Sequence, residues 1–322
     1  MDTQSADWEP REIRVIAHRG TVSMSPSTPV TRHRVPTTLV LAIAALVCAR
    51  PTAQDRPLPD FNAFTTQVKK HLQTDEDLQA GYAFTERETE QKLDGSGRIK
   101  EQTVKVFEVY PGLPGEDRYR RLIEENGKPV PPAELEKRDR ERQKKAEEYA
   151  REQTTLSESD RQRQRREYEK AMKERREAID DIFNVFDVRM AGRESIDRHD
   201  TIAFTLTPRP KAAPATDSGK MMQHFSARAW ISESDYELVR INVEAVEPVS
   251  FGLGLLARLQ KGATASYQRR KVNGEAWLPA KVTYRGSGRV LLVKSMRLGG
   301  GSEFSNYRKF TVDTTTEIAE RK

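Results

Sequence analysis

The feature that most constrains the fold is a series of short segments in the C-terminal half, in which apolar and polar residues alternate. In residues 201–207, Ile202, Phe204 and Leu206 share one side, and Pro208 follows. A period of two is typical of a strand with one buried face, and proline ends such a strand. Similar segments cover 225–231, 236–246, 263–272, 281–285, 290–297 and 304–311. Strands of this length with tight turns predict a curved antiparallel sheet, an open or half β-barrel.

Turn residues divide the predicted strands. Upstream, two alternating segments, 82–93 and 99–110, flank the Gly-rich turn Asp94-Gly-Ser-Gly97 and predict a hairpin. A third strand, 119–125, ends at the turn signal Asn126-Gly127. In the C-terminal series, we expect Gly286, Gly288 and the glycines at 299–301 to mark bends between strands.

A helix is predicted before the first strand, over residues 61–78. Five residues recur at helical spacing and form one face: Phe61, Phe64, Val68, His71 and Leu72. Asp60 or Asn62 can cap the start of this helix. The fold class is therefore α+β, with the sheet wrapped on an N-terminal helix.

A long charged stretch interrupts the strand pattern. Residues 134–181 contain 15 basic and 15 acidic side chains with no Gly and no Pro, which predicts helix. Leu156-Ser-Glu-Ser-Asp160 breaks it into two helices. The apolar residues Ile179, Ile182, Phe183 and Phe186 are expected to anchor the last helix on the body. The stretch is read as solvated helices, or as an arm that binds an envelope protein; balanced charge argues against simple electrostatic adhesion to a membrane.

The run from Leu39 to Ala49 is apolar, follows Arg32, His33 and Arg34, and ends in small residues. It is too short to span a bilayer, so it is read as a secretory signal peptide over about residues 24–53, rather than as a buried core helix. The single cysteine, Cys48, lies inside it. The exported chain would then have neither a disulfide nor a thiol.

These patterns divide the chain into five parts. They are an N-terminal extension with the signal peptide (1–53), the first helix and strands (54–132), the charged helical insertion (133–188), the remaining strands (189–313) and a tail (314–322). The exported part is expected to lie in the periplasm or otherwise outside the cytoplasm.

No catalytic constellation stands out, so we expect a protein that is not an enzyme. The chain has no Gly-x-Ser-x-Gly, His-Glu-x-x-His, phosphate loop or dinucleotide fingerprint. His71 is read as a core or surface residue and His199 as part of a polar turn. We therefore expect no metal and no cofactor. The net charge of +6 is too mild to indicate nucleic-acid binding.

One segment, 249–259, does not follow the alternating pattern of the predicted strands. It is apolar, contains Gly252 and Gly254, and is neither purely strand-like nor helical. It is read either as a covered connection or barrel plug, or as a mobile apolar lid over a cavity.

The β series resembles the LolA/LolB-like family of outer-membrane lipoprotein-sorting proteins, which carry lipoproteins across the periplasm. The resemblance rests on the helix before the sheet and on three segments: Phe225–Ile231 entering Ser232-Glu-Ser-Asp-Tyr-Glu-Leu-Val-Arg240, then Val272-Asn-Gly-Glu-Ala-Trp-Leu-Pro279, then Tyr307-Arg-Lys-Phe310. It covers roughly 60–128 and 190–313, and the long charged insertion departs from it. It implies an incomplete antiparallel barrel with an apolar cavity that shelters acyl chains.

The candidate ligand is therefore an acyl chain of a lipid or lipoprotein. The cavity candidates are Phe225, Ala227, Ile231, Val239, Ile241 and Val243, and the lid candidates are Phe251, Leu253, Leu255 and Leu256. In the alternative interpretation the protein is a cell-envelope scaffold that binds a partner through residues 134–181, and its barrel is filled. Deleting 134–176 is then expected to abolish function and leave the fold.

Overall fold

The computed structural model of this chain describes residues 56–113, 117–251, 257–290 and 294–309. The predicted extension, signal peptide and tail lie outside the described residues. Within them, one antiparallel sheet of 13 strands forms the body. The strands are β1 Tyr82–Leu93, β2 Ile99–Tyr110, β3 Tyr119–Glu125, β4 Lys128–Pro129, β5 Phe186–Ile196, β6 His199–Pro208, β7 Phe225–Ser232, β8 Leu238–Ala245, β9 Val249–Phe251, β10 Ala257–Leu259, β11 Thr264–Val272, β12 Ala276–Val290 and β13 Lys294–Lys309.

The sheet is open, because its two end strands do not pair with each other. The order is β4-β3-β2-β1-β13-β12-β11-β8-β7-β6-β5, and the short strands β9 and β10 are attached through the pairing of β10 with β12. The predicted open antiparallel sheet is confirmed. Strands that are adjacent in the sequence form most of the hairpins. The pairing of β1 with β13, in contrast, joins the two ends of the described chain.

The predicted hairpin forms at the expected turn. The Asp94 carboxylate accepts hydrogen bonds from the backbone N–H groups of Ser96 (2.8 Å) and Arg98 (3.0 Å), which closes the turn between β1 and β2. A hydrogen bond from the Ser96 hydroxyl, with those from the N–H groups of Arg98 and Ser96, lowers the pKa of Asp94 to about 2. At the next turn, Asn126 and Gly127 both have positive φ, of 52° and 78°, as the hairpin geometry requires.

The predicted bends at glycine are wrong. Gly286 and Gly288 lie inside β12, and residues 299–301 lie inside β13, so each of these strands is a single long element. Gly288, Gly300 and Gly301 are needed because a neighbouring backbone comes too close to each for a side chain. A Cβ on Gly301 would lie 2.0 Å from the Val282 carbonyl oxygen, and one on Gly300 would lie 2.1 Å from that of Thr89.

Helix α1 (Phe61–Ala80) packs on the sheet near β5–β8. The Asp60 side chain accepts a hydrogen bond from the Ala63 N–H (2.8 Å) and caps the helix. Phe64 and Val68 are buried against the sheet, and the Phe64 ring stacks on Phe204 with 5.9 Å between centroids. The main core therefore lies between α1 and the β5–β8 end of the sheet.

The charged stretch forms two helices, α2 (Pro132–Thr155) and α3 (Glu158–Val185). We call them the arm. Ser157 caps α3 by accepting a hydrogen bond from the Asp160 N–H (3.1 Å), at the break that the sequence predicts. Helix α2 buries no residue, whereas Ile179 and Val185 of α3 are buried. Phe186, expected in the helical stripe, is the first residue of β5.

The arm connects the two opposite edges of the sheet. It leaves β4 at one edge and enters β5 at the other. At β3, Nε and Nη2 of Arg121 donate to the Asp139 carboxylate of α2 (2.8 Å each). At the far end, α3 packs against α1 and the short helix α4 (Asp217–Met222), which was not predicted. The arm is thus an inter-edge connection anchored at both ends.

Candidate functional site

The candidate site is the sheet face on which α1 packs, called here the helix face. Directly opposite residues of antiparallel strands point to the same face. Ala229 lies opposite both Phe204 and Ile241, and Ala227 lies opposite Val243. Val243 in turn lies opposite Ala265, which lies opposite Tyr284. An apolar row therefore crosses from β6 to β12 on this face.

Five of the six cavity candidates lie on the helix face. They are Phe225, Ala227 and Ile231 on β7 and Ile241 and Val243 on β8. Ile231 is buried in the main core, and the other four are partly buried.

Val239 does not follow the predicted pattern. The register shifts between Trp230 and Ile231, so that Leu238, not Val239, lies opposite Ile231. Leu238 packs against the main core, whereas Val239 is fully buried outside that cluster. The β-bulge at this point breaks the period of two, so strict alternation does not place Val239 on the helix face.

An apolar cavity of about 140 Å³ lies between α1, α3 and the sheet. We call it the helix-side cavity. Its lining has no charged side chain and consists of Thr65, Val68, Leu72, Ile182, Phe183, Val188, Phe204, Leu206, Ala229, Ile231, Leu238 and Ile241. The two candidates Ile231 and Ile241 thus face space that the core leaves unfilled.

A second cavity, of about 290 Å³, lies farther along the sheet. We call it the open-face cavity. Its volume is close to the lower end of the range for small-molecule sites, roughly 300–1,000 Å³. The apolar side chains that line it are Phe225, Val243, Leu259, Ala263, Ala265, Tyr284, Met296 and Leu298, with the glycine backbone at 286 and 288. Tyr284 and Leu298 remain 40% and 38% exposed.

The two cavities lie along the same two strands. Ala229 and Ile241 line the helix-side cavity, and two residues farther along each strand Ala227 and Val243 pair directly. Val243 lines the open-face cavity. A step of two residues is about 6.8 Å in an antiparallel strand. The helix face therefore presents apolar surface without interruption from one cavity to the next.

The 249–259 segment, expected to be a plug or a lid, supplies the strands β9 and β10. These pair with each other, and β10 pairs with β12 beside the open-face cavity. Phe251 ends β9 opposite Ala257. Leu253, Leu255 and Leu256 lie outside the described residues, so the lid remains a prediction.

A polar row borders the apolar surface on β1. Glu86 accepts hydrogen bonds from Arg120 (3.0 Å) and Ser302 (2.7 Å), and Glu88 accepts one from Arg120 (2.7 Å). Burial raises the pKa of the Tyr284 hydroxyl, and the negative charges of Glu90 and Glu88 raise it further. Tyr284 thus stays a neutral phenol where the apolar row meets the carboxylates.

Sequence reasoning missed six of the eight apolar side chains that line the open-face cavity: Leu259, Ala263, Ala265, Tyr284, Met296 and Leu298. A signal was present in Tyr284-x-Gly286-x-Gly288, because glycine at alternate positions leaves one face of a strand without side chains. These glycines face Leu259 and Ala263, since a Cβ on Gly286 would lie 2.9 Å from the Cβ of Ala263.

A network of polar contacts joins α1 to the sheet. The Glu237 carboxylate lies 3.1 Å from Arg269 and 3.0 Å from His71 of α1. Arg269 is only 1% exposed and also donates to the Trp277 carbonyl. The His199 ring packs against Trp277 with 4.7 Å between centroids. In the described part of the chain, no three His, Cys, Asp or Glu side chains are grouped as metal ligands.

Comparison with known proteins gives structural neighbours only. No family model matches the chain, and no curated protein matches it. The solved structures that resemble it include a LolA superfamily protein from Nitrosomonas europaea, at 10% identity and a TM-score of 0.29, covering 77% of this chain and 97% of that one. They also include a putative outer membrane lipoprotein-sorting protein domain from Vibrio parahaemolyticus, at 10% identity and a TM-score of 0.32, covering 78% and 92%.

A third neighbour is the MucA/MucB complex of Pseudomonas aeruginosa, at 8% identity and a TM-score of 0.22, covering 77% of this chain and 98% of that one. The class to which the sequence motifs pointed is thus among the structural neighbours. Superpositions this loose show neither a shared ligand nor a shared partner. Within the described residues, no helix is both long and apolar enough to cross a membrane.

Proposed function

We propose that this protein is an exported carrier that binds an acyl chain of a lipid or lipoprotein on the helix face. The observation that supports this is the apolar surface that joins the helix-side cavity to the open-face cavity through Ala227 and Val243. The proposal assigns binding, and not catalysis, to this face. The signal-like run Leu39–Ala49 supports export.

The chemistry of the lining fits a flexible hydrocarbon. Each CH₂ group removed from water contributes about 0.8 kcal/mol, so a chain that is only partly covered gains useful affinity. The small side chains of Ala227, Ala229 and Ala265 leave space above the middle of the apolar row, and larger side chains lie on either side of it. The helix-side cavity accepts one end of such a chain, and the open-face cavity accepts the rest.

A second candidate function is binding of an envelope protein through the arm. The observation that favours it is exposure: α2 buries no residue, and Tyr168 of α3 is 64% exposed although it is aromatic. An exposed aromatic ring on a charged helix is a usual anchor at protein interfaces. This function is compatible with a ligand on the helix face, because Tyr168 and α2 line neither cavity; only the last turns of α3, at Ile182 and Phe183, line the helix-side cavity.

Native mass spectrometry of the full-length chain, purified without detergent, tests the carrier proposal. We expect extra mass that disappears on organic extraction and is identified as acyl lipid. A fluorescent long-chain fatty acid then serves as the defined probe for the extracted protein. Val243→Asp is expected to weaken its binding by more than about tenfold, because an unpaired carboxylate is costly on an apolar surface.

Asn242→Asp is the matched control. It adds the same charge to the same strand, but Asn242 is exposed on the opposite face, and an aspartate can still accept the Ser266 hydroxyl hydrogen bond (2.8 Å). A protein that stays bare after incubation with lipids, or equal losses in both variants, would contradict the proposal. Either result would favour the second candidate function, binding of an envelope protein through the arm.

A further inference from the structure

A polar cleft lies between the start of β3 and helix α2 of the arm. Strand β4 pairs only with Glu124 and Glu125, so nearer its start β3 has no further neighbour strand in the described part of the chain. Helix α2 packs beside this part of β3, and Arg142 lies over the Tyr119 ring, 5.2 Å from its centroid. We call the space between them the edge cleft. Its volume is about 430 Å³, and its lining residues are Asp117, Arg118, Tyr119, Arg120, Arg138, Glu141, Arg142 and Lys145.

The lining of the edge cleft supplies mainly positively charged hydrogen-bond donors. Five of its eight side chains are arginine or lysine and two are carboxylates, which leaves a surplus of three positive charges. Arginine and lysine side chains donate hydrogen bonds and accept none. The volume lies within the range for small-molecule sites, roughly 300–1,000 Å³. A ligand that fits this cleft therefore carries negative charge and several acceptor oxygens on a compact group.

Arg118 brings a positive charge to the edge cleft that no described carboxylate pairs with. Its guanidinium donates to the backbone carbonyls of Tyr82 (2.8 Å) and Gln79, and it lies 5.1 Å from the centroid of the Phe84 ring. Burial lowers the pKa of this guanidinium. The two carbonyls and the ring thus fix the position of the charge, and a bound anion would neutralise it.

The Tyr119 hydroxyl is a buried polar group without a hydrogen-bond partner among the described residues. Burial raises the pKa of Tyr119, and the negative charge of Asp139 raises it further, so the hydroxyl keeps its proton and can donate. A buried hydroxyl without a partner costs free energy, and native structures keep few such groups. An acceptor oxygen of a ligand in the edge cleft would supply the partner.

We propose that the edge cleft binds a phosphate group, carried either by a soluble phosphate monoester or by a lipid head group. The planar donor forks of arginine match the geometry of phosphate oxygens, and a phosphate monoester offers three strong acceptor oxygens. An acidic protein segment fits less well, because it spreads its carboxylates along a chain, whereas these donors surround one compact space. The proposal does not rest on the carrier proposal, since none of the residues that line the edge cleft lines the helix-side cavity or the open-face cavity.

Isothermal titration calorimetry of the full-length chain with glycerol 3-phosphate, in a phosphate-free buffer, tests this proposal. We expect saturable binding that weakens as the salt concentration rises, because salt screens the charges. Tyr119→Phe removes only the unpartnered hydroxyl. This variant should bind glycerol 3-phosphate about tenfold more weakly, because it loses a hydrogen bond to a charged group. Its stability in urea without ligand should equal or exceed that of the parent chain, because the free protein loses no hydrogen bond.

Tyr110→Phe is the matched control. The Tyr110 ring stacks on Tyr119 with 6.3 Å between centroids, but its hydroxyl already donates to Glu108 (3.0 Å), and Tyr110 does not line the edge cleft. This variant should lose stability and keep its affinity for glycerol 3-phosphate, which is the reverse of the pattern expected for Tyr119→Phe. Equal affinities of the two variants for glycerol 3-phosphate would overturn the proposal.

A second pair of variants tests the contribution of charge. Lys145 lines the edge cleft, whereas its neighbour Lys144 does not and pairs with Glu148 (3.8 Å). Lys145→Gln should weaken binding by up to about fivefold, the most that an exposed ion pair contributes. Lys144→Gln should leave binding unchanged. Equal losses in the two variants would indicate a general effect of charge and would contradict a site in the cleft.

Vesicle flotation distinguishes the two sources of the phosphate group. The probes are phosphatidylcholine vesicles with and without phosphatidic acid, and glycerol 3-phosphate is the competitor. Binding to phosphatidic acid that the competitor reverses assigns the site to a lipid head group, and binding of glycerol 3-phosphate alone assigns it to a soluble monoester. Binding of neither ligand, or of polyglutamate only, would overturn the proposal.

The result is separable from that of the carrier experiment. Val243→Asp should leave binding of glycerol 3-phosphate unchanged, whatever it does to binding of the fatty acid. Conversely, Tyr119→Phe should retain the fatty acid. Failure of one proposal therefore leaves the other standing.

Discussion

Asp181 is a buried carboxylate that joins the arm to the body. It is fully buried and accepts hydrogen bonds from the N–H groups of Ala215 (2.9 Å) and Thr216 (2.8 Å) and from the Thr216 hydroxyl (2.7 Å). Gly219 packs against it so closely that a Cβ there would lie 2.2 Å from a carboxylate oxygen. Burial by itself would raise the pKa of Asp181, but the three hydrogen bonds outweigh it and lower the pKa.

Replacing Asp181 by Asn should destabilise the protein by about 2–3 kcal/mol, because the amide turns one acceptor into a donor facing buried donors. The measurement is the free energy of unfolding in urea. Asp180→Asn is the control, since Asp180 is exposed and pairs only with Lys69 (3.0 Å). An equal effect of both substitutions would contradict this assignment.

The pH dependence of the same variant follows from the lowered pKa. A carboxylate whose pKa is lower in the folded protein stabilises it above the unfolded pKa, near 3.8, and loses this contribution as pH falls through the folded value. The stability difference between the parent chain and Asp181→Asn should therefore shrink as the pH falls below about 4. Urea unfolding at a series of pH values measures it, and a difference that grows in acid would contradict it.

At the scale of elements, the arm and the sheet are stabilised by different interactions. Helix α2 has no buried residue, and its ion pairs, such as Arg138 with Glu134 (2.6 Å), are exposed i,i+4 pairs that contribute little each. The last turns of α3 are different, because Ile179 and Val185 are buried in the body. Helical stability in proteins comes mainly from such packing.

The rate of backbone amide hydrogen exchange should therefore differ between the exposed and the buried parts of the arm. We expect fast exchange over α2 and the first half of α3, and strong protection over residues 179–185. Raising the salt concentration should speed exchange only in the exposed part, because it screens the ion pairs there. Mass spectrometry of peptides from the two halves of α3 measures the gradient. Uniform protection along the whole arm would indicate that the arm packs against another surface.

At the scale of the whole molecule, the arm links the two edges of an open sheet. Ten interstrand spacings separate β4 from β5, so the path along the sheet from one edge to the other is about 48 Å. If the sheet is bent into a half circle, the straight distance between the two edges is about 31 Å. If residues 134–176 were removed, the chain from Pro129 to Ile179 could reach at most about 25 Å. Deletion of the arm is therefore not a neutral truncation.

Joining residue 133 directly to residue 177 should lower the melting temperature or prevent folding. Replacing 134–176 by a flexible Gly/Ser linker of the same length should restore the fold and keep binding of the fatty acid. Circular dichroism on heating and the fluorescent probe measure the two effects. A directly joined chain that is as stable as the parent would show that the sheet edges lie closer than this geometry requires.

Local patterns predicted the first three strands of this chain accurately, but they missed β5 and divided β12 and β13 into shorter pieces. Alternation and turn residues located β1, β2 and β3 at their observed bounds, because hairpins depend on neighbours in sequence. The face of α1 that carries Phe64 and Val68, and the helix break at Ser157, follow from periodicity and capping in the same way. The resemblance to lipoprotein-sorting proteins and five of the six helix-face residues also came from the sequence.

Only the tertiary structure decided how these parts meet. The pairing of β1 with β13 and the connection of both edges by the arm involve residues far apart in the chain, so no local pattern encodes them. The bulge beside Val239 and the glycines inside β12 and β13 depend on the approach of neighbouring backbones, which composition does not reveal. The sequence by itself therefore determined the elements, the charge and the apolar faces. The long-range register decided which faces meet and where they leave space.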